Sequence, residues 1–378
     1  MNMLTTETAT PGLLSVQLLH SDPLADAVAA RFDTLGWPAG MQLLHRLVRS
    51  GPEATPDAPE ELRALVESVQ RLPGWVEPER LVRGALAYHA PGFLWLSFGL
   101  GPGALVRTYR NPRAAVLLTH TNNLVRTTRQ RIIETGTWIY YATQPGGWAP
   151  GSEGLAATLS VRMTHARVRR LALRSPAWDQ ARLGMPINQL DMAYVNLAFS
   201  RVYIDTLAPL GVTFSAGELA DIYHLWRYTG LLLGLDPELL AEDHTQAGEM
   251  LSRIEAGFEP VGRAGRALVG AMVDAYTNYL RNMLGMETVL ARVFSYSLIR
   301  RMHGHAVADA FGIPNSALTA SVVPIALANR LRRAWEALRP DGRRLAAERV
   351  LAEERTALVD VLEEPPVFQR PQALRLEA

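Results

Sequence analysis

The chain predicts an all-α fold, a single large helical domain with a charged C-terminal helical tail. Apolar residues recur at three- and four-residue spacing along most of its 378 residues, the period of helices with one buried face. Turn chemistry punctuates those segments at Gly51-Pro52, Pro73-Gly74, Pro145-Gly146-Gly147, Pro150-Gly151, Ser175-Pro176 and Gly184-Met185-Pro186. Strand-like runs are short and isolated, 138–141 being one of them, and no fixed-period repeat suggests a solenoid.

Taken in order, helices are expected near 24–34, 40–49, 60–71, 113–133, 156–173, 189–207, 216–233, 238–256, 263–285, 287–303 and 318–360. Asn188 is placed to cap the helix that follows it, with Asp191 complementing the dipole. Ser215 with Glu218 three residues on reads as a capping box. The Pro- and acid-rich stretch 51–59 reads as a surface loop. Between Arg83 and Arg107 the chain carries no charge, a length that could span a bilayer. Its glycines, Pro91, Pro102 and His89 would leave backbone groups unsatisfied in lipid, so a buried, broken helix is expected and no transmembrane segment. Gly99-Leu100-Gly101-Pro102-Gly103 mimics a dinucleotide loop only superficially and reads as a loop. The expected organisation is an N-terminal helical extension (1–74), a helical core (75–310), and a C-terminal helix and tail (311–378). After about 340 the sequence becomes strongly charged, and Pro365-Pro366 and Pro371 suggest an irregular end.

Composition narrows the chemistry. Apolar residues make up 48% and charged residues 20%, which suits a globular chain with a substantial core. A net charge of +1 announces no polyanion partner, so no nucleic acid is expected. All 38 basic residues are arginine, which removes Schiff-base chemistry and a P-loop lysine. The absence of cysteine removes thiolate nucleophiles, iron–sulfur clusters and covalent or thiolate-ligated haem. Residues 1–11 are polar and threonine-rich with no basic n-region, so no export signal is read there and a cytoplasmic address is expected.

Two helices carry the informative histidines. Around 156–173, Val161, His165, Val168 and Ala172 share a face. Burial there would keep the imidazole neutral and able to ligate. Arg162 lies about one turn before and Arg169 one turn after, each able to pair with a carboxylate such as a haem propionate. In Tyr223-His224-Leu225-Trp226-Arg227, His224 sits on the flank of an apolar stripe with Arg227. Between them Met192, Asn196, Phe199 and Tyr203 share a face, and a buried Asn196 needs a hydrogen-bonding partner, either backbone or ligand. A packed structural role remains open for both histidines. Asp221 and His224, one turn apart, also offer two ligands for a mononuclear non-haem metal. His303-Gly304-His305 reads as surface or loop.

The order of Pro102-Gly103-Ala104, Tyr109, Pro112, Glu134-Thr135, Trp138, Arg162-Met163-Thr164-His165, Asn188-Gln189-Leu190-Asp191-Met192, Tyr223-His224 and Leu233-Gly234-Leu235 resembles the MpaB/rubber-oxygenase catalytic domain, the family of latex-clearing proteins. The likeness covers roughly 75–300. It implies a non-covalent haem b (iron) and oxidative cleavage of a hydrophobic, isoprenoid-like substrate by dioxygen. It aligns Arg162 with an arginine beside the haem, His165 with a distal lysine, and the neighbourhood of Asn196 with the proximal histidine, a departure from the family pattern. The reading is a haem-dependent oxygenase in which Arg162 and His165 are catalytic. Arg169, Asn196, His224 and Arg227 would join them around the cofactor, with His165 or His224 on the metal. Its partners would be a small hydrophobic substrate and dioxygen, with a homo-oligomer left open. The alternatives are a non-catalytic binding protein for an apolar ligand and the Asp221/His224 metal enzyme.

Overall fold

The computed structural model describes residues 16–119, 124–339 and 341–362, and among these there are helices and turns but no strand. The expectations for residues 1–11 and for the proline-rich end lie outside the described residues. The N-terminal helices are α1 (Pro23–Leu35), α2 (Trp37–Ser50) and α3 (Glu60–Gln70), followed by α4 (Pro78–His89). Next come α5 (Phe93–Phe98), α6 (Pro112–Thr119), α7 (Leu124–Ala142) and α8 (Glu153–Leu173). The middle of the chain forms α9 (Gln189–Leu197), α10 (Tyr203–Leu207), α11 (Ala216–Leu232) and α12 (His244–Ala256). The chain then runs through α13 (Arg263–Leu284), α14 (Thr288–Ala310), α15 (Val322–Ala337) and α16 (Gly342–Leu362).

Two apolar cores meet along α8 and α11. The larger gathers α9, α10, α13 and α14 around Tyr88, Trp138, Phe199, Tyr203 and Trp226. The smaller packs α1, α2 and α3 onto Met163 and Ala166 of α8 and onto Leu225, Tyr228 and Leu232 of α11. The N-terminal helices therefore cover one side of the two helices that carry His165 and His224.

The caps form as their sequences require. The Asn188 side chain accepts from the Asp191 N–H, and Ser215 and Glu218 close both halves of a capping box. The uncharged stretch is a buried, broken helix. The Gly99–Leu105 segment, expected as a loop, is instead π-helical and buried, continuing α5. Glycine there lets the backbone lie against aromatic side chains: a methyl on Gly101 would fall 1.9 Å from the Tyr276 hydroxyl. The 138–141 run closes α7 as helix rather than strand. The predicted 318–360 helix is divided by the turn before α16, where Asp341 adopts a positive φ. His303 and His305, expected on surface or loop, lie within α14 on either side of a kink at Gly304. No helix among the described residues is long and apolar enough to cross a membrane.

Helix α4 crosses α11 at close range. At Gly84 a Cβ would lie 2.3 Å from the Asp221 carbonyl oxygen, which belongs to backbone and cannot swing away. Glycine to alanine inside a helix ordinarily stabilises. Here Gly84→Ala is expected to destabilise by about 1–3 kcal/mol through overpacking, read from urea or thermal unfolding. A gain in stability would show that the crossing is looser than described.

Candidate active site

The site is built on the antiparallel pair α7 and α8. The Trp138 indole N–H donates to Thr158 Oγ1 at 3.1 Å and fixes their register. Of the face read from helical spacing, Val161, His165 and Val168 are half-buried and Ala172 is buried, while Met163 and Ala166 turn into the smaller core.

His165 is the unusual member. Its Nδ1 is sealed from solvent and has no hydrogen-bond partner, whereas the residue as a whole keeps some accessible surface. The rest of the side chain therefore keeps some contact with solvent. Burial, assisted by the nearby Arg169 charge and opposed by Asp22, lowers its pKa from the ordinary 6.5 to about 4. The imidazole is thus neutral at pH 7. Glu134 is shifted the other way: burial raises its carboxyl, against the Gln130 hydrogen bond and the Arg131 charge.

These shifts have a consequence for acid stability. The folded chain holds His165 neutral down to about 4, while the unfolded chain takes up a proton near 6.5. The stabilisation is therefore complete above about pH 6.5 and disappears as pH falls to about 4, with an upper bound of about 3 kcal/mol. His303 behaves alike, its pKa lowered to about 4 mainly by burial. His165→Leu should flatten unfolding free energy across that window. An unchanged slope in both His165→Leu and His303→Leu would contradict it.

The arginines have structural tasks. Arg162 makes a bidentate buried ion pair with Asp22, its Nε 2.6 Å from Oδ2 and its Nη2 2.9 Å from Oδ1, and also donates to the Leu232 carbonyl. Gly234, at φ +86°, allows this: a side chain there would strike both partners. Arg169 donates to the Pro186 and Ile187 carbonyls and pairs with Asp26. Neither guanidinium is free to clamp a propionate as described. Arg162 instead ties α8 to the entry of α1.

His224 and Asp221 are likewise occupied. His224 Nε2 accepts the Glu77 backbone N–H at 3.0 Å, which makes Nδ1 the protonated nitrogen, and its ring stands edge-on to Trp75 at 5.5 Å. Asp221 accepts from Arg80 at 2.9 Å and Arg83 at 2.7 Å. Among the described residues no three metal-binding side chains converge. The mononuclear-metal alternative and the reading of His224 as an iron ligand are corrected accordingly: the lone pair a metal would need is taken by a backbone N–H.

Asn196 lies apart from His165. Its Nδ2 donates to the Trp226 carbonyl at 3.2 Å, bridging α9 to α11. Next to it the chain passes into a π-helical segment, Ala198–Val202, whose Ser200 donates to the Asn196 carbonyl at 2.9 Å. Asn196, Ser200, Tyr223, Trp226, Arg227 and Leu240 line a cavity of about 10 Å³, room for a single water. That is far below the roughly 300–1,000 Å³ typical of organic-ligand pockets. Trp138, Phe199 and Trp226 fill the neighbouring interior, with ring centroids 6.0–6.3 Å apart. Arg227 pairs with Glu242 and lies 4.2 Å over the Trp75 ring. Trp226 Nε1 and Arg227 Nε are sealed without partners, and spacing arguments gave no hint of that cavity. His303 was also missed: it bonds the Pro102 carbonyl at 2.8 Å through Nε2 and leaves a buried, unpartnered Nδ1.

By donor chemistry, the His165 ring suits a haem, since it is a neutral imidazole with no competing hydrogen bond. The Asn196 side does not fit, because an amide bound to a carbonyl beside a small, aromatic-walled cavity offers no iron ligand.

Comparison with known proteins agrees with this geometry at the level of fold. The chain is 24% identical over 303 residues to a rubber oxygenase of Streptomyces sp. (strain K30), covering 73% of this chain and 72% of that protein. It superposes on the closed state of latex clearing protein with a TM-score of 0.67 at 21% identity, over 89% of this chain and 91% of that one. The sequence model described as ER-bound oxygenase mpaB/B'/Rubber oxygenase, catalytic domain, matches residues 95–339. The chain belongs to that family.

Proposed function

We propose that the protein is a haem b-dependent oxygenase acting with dioxygen on a hydrophobic, isoprenoid- or lipid-like substrate. The observation that carries this reading is the unpartnered, neutral imidazole of His165, which shares α8 with the half-buried Val161 and Val168. Haem b, when bound, would supply the iron that activates dioxygen.

This chain's residues would do the rest. His165 would present a ring nitrogen toward the bound group. The ring has no hydrogen bond of its own to give up, so its Nε2 would be available to hold that group, at the position the resemblance gives to a lysine. Val161 and Val168 would exclude water and favour an apolar substrate. Arg162 would act at one remove by holding α8 in place through Asp22.

Dioxygen uptake by the haem-supplied protein, with a lipophilic alkene dispersed in the assay, tests the reading. Uptake should depend on protein, haem and alkene together, and should fall by about 10²-fold or more in His165→Ala. Uptake no greater than with free haem would sink it.

A further inference from the structure

Helix α15 is built inside out. Its inward face carries Asn329, Arg333 and Glu336, all buried, together with Val322 and Ala326. Asn329 donates to the Leu210 carbonyl at 2.8 Å. Arg333, with no exposed surface, donates to the Thr213 carbonyl at 3.0 Å and pairs with Glu218 at 2.8 Å and Glu336 at 2.6 Å. The polar half of the helix is thus committed to the body of the protein. Its outward face carries Val323, Leu327, Leu331 and Trp335, continued by Leu338, at 51%, 57%, 63%, 57% and 80% exposure. Those positions follow one another at four- and three-residue spacing, so they form one stripe. Isolated exposed leucines are ordinary, but a stripe of five large apolar groups along one helix marks an interaction surface.

The charges beside the stripe indicate its occupant. Arg330 is exposed on the same helix, and Arg339 lies 4.4 Å over the Trp335 ring at the helix end. The only acidic residue of α15, Glu336, is buried against Arg333. An apolar stripe of leucine and tryptophan, bordered by arginine and free of exposed carboxylate, matches an interfacial helix lying in the headgroup region of a lipid surface. We propose that α15 docks this protein onto anionic membranes, its long axis parallel to the surface, without crossing the bilayer. The inference stands on α15 alone and does not depend on haem.

Co-flotation of the full chain with phosphatidylcholine vesicles, with and without phosphatidylglycerol, tests it. Binding should require the anionic lipid and weaken with added salt. Leu331→Glu and Trp335→Glu should each reduce binding by about tenfold or more. Leu331→Gln guards against a folding defect, and matched circular dichroism melts would show that all the variants are intact. Three results would overturn the proposal. One is no flotation with either vesicle. Another is a dimer in sedimentation velocity, broken by Leu331→Glu, with no lipid binding, which would assign the stripe to a second copy of this chain. The last is flotation seen only after removal of 363–378, which would make the chain's own end the occupant.

Discussion

Arg162→Met is expected to destabilise the fold by about 3–5 kcal/mol, because it leaves Asp22 charged and buried without its partner. The two side chains are 6% and 9% exposed and joined by two short hydrogen bonds, so water does little to compensate. Their position magnifies the effect, since the pair joins the start of α1 to the middle of α8, with Leu232 at the end of α11 as a third anchor. The double variant Asp22→Leu/Arg162→Met should recover most of the loss, because removing both charges removes the unpaired one. Chemical denaturation of the haem-free protein reads the outcome. A loss of cofactor binding with unchanged stability would instead return Arg162 to direct contact with the bound group.

His165→Ala should produce the opposite profile. The ring makes no hydrogen bond that the fold would miss, so only its packing is lost. That costs less than an unpaired charge, and removing an imidazole held neutral by burial recovers stability below pH 6.5. Haem affinity and dioxygen uptake should meanwhile fall by about 10²-fold. His224→Leu differs again. It frees the Glu77 N–H, an orphaned donor expected to cost about 1–3 kcal/mol, while leaving haem affinity unchanged. The two histidines are thereby separated by which measurement each one moves.

Much of the fold was legible because it is local. Helical period, the Asn188 cap and the Ser215–Glu218 box are set by residues a few positions apart, and each appears where its sequence places it. The face of α8 with Val161, His165 and Val168 was readable for the same reason. Pairings across the chain were not readable. Nothing near Arg162 in sequence discloses that Asp22, 140 residues away, takes its guanidinium, or that Glu77 takes the His224 lone pair. The π-helical Gly99–Leu105 segment was read as loop because its glycines look like breakers in isolation. They are required by the approach of Tyr203, Thr206 and Tyr276 from other helices. The inverted α15 was concealed by its regular period, since periodicity shows that a helix has two faces but not which one the body covers.

The proposed activity rests on haem being held at His165. Titration of haem into the purified protein, followed by absorption in the Soret region, tests it most directly. The expected result is a shifted band that saturates at equimolar haem, persists in His224→Leu, and needs about 10²-fold more haem in His165→Ala. A spectrum indistinguishable from free haem, or a band of equal affinity in His165→Ala, would contradict it.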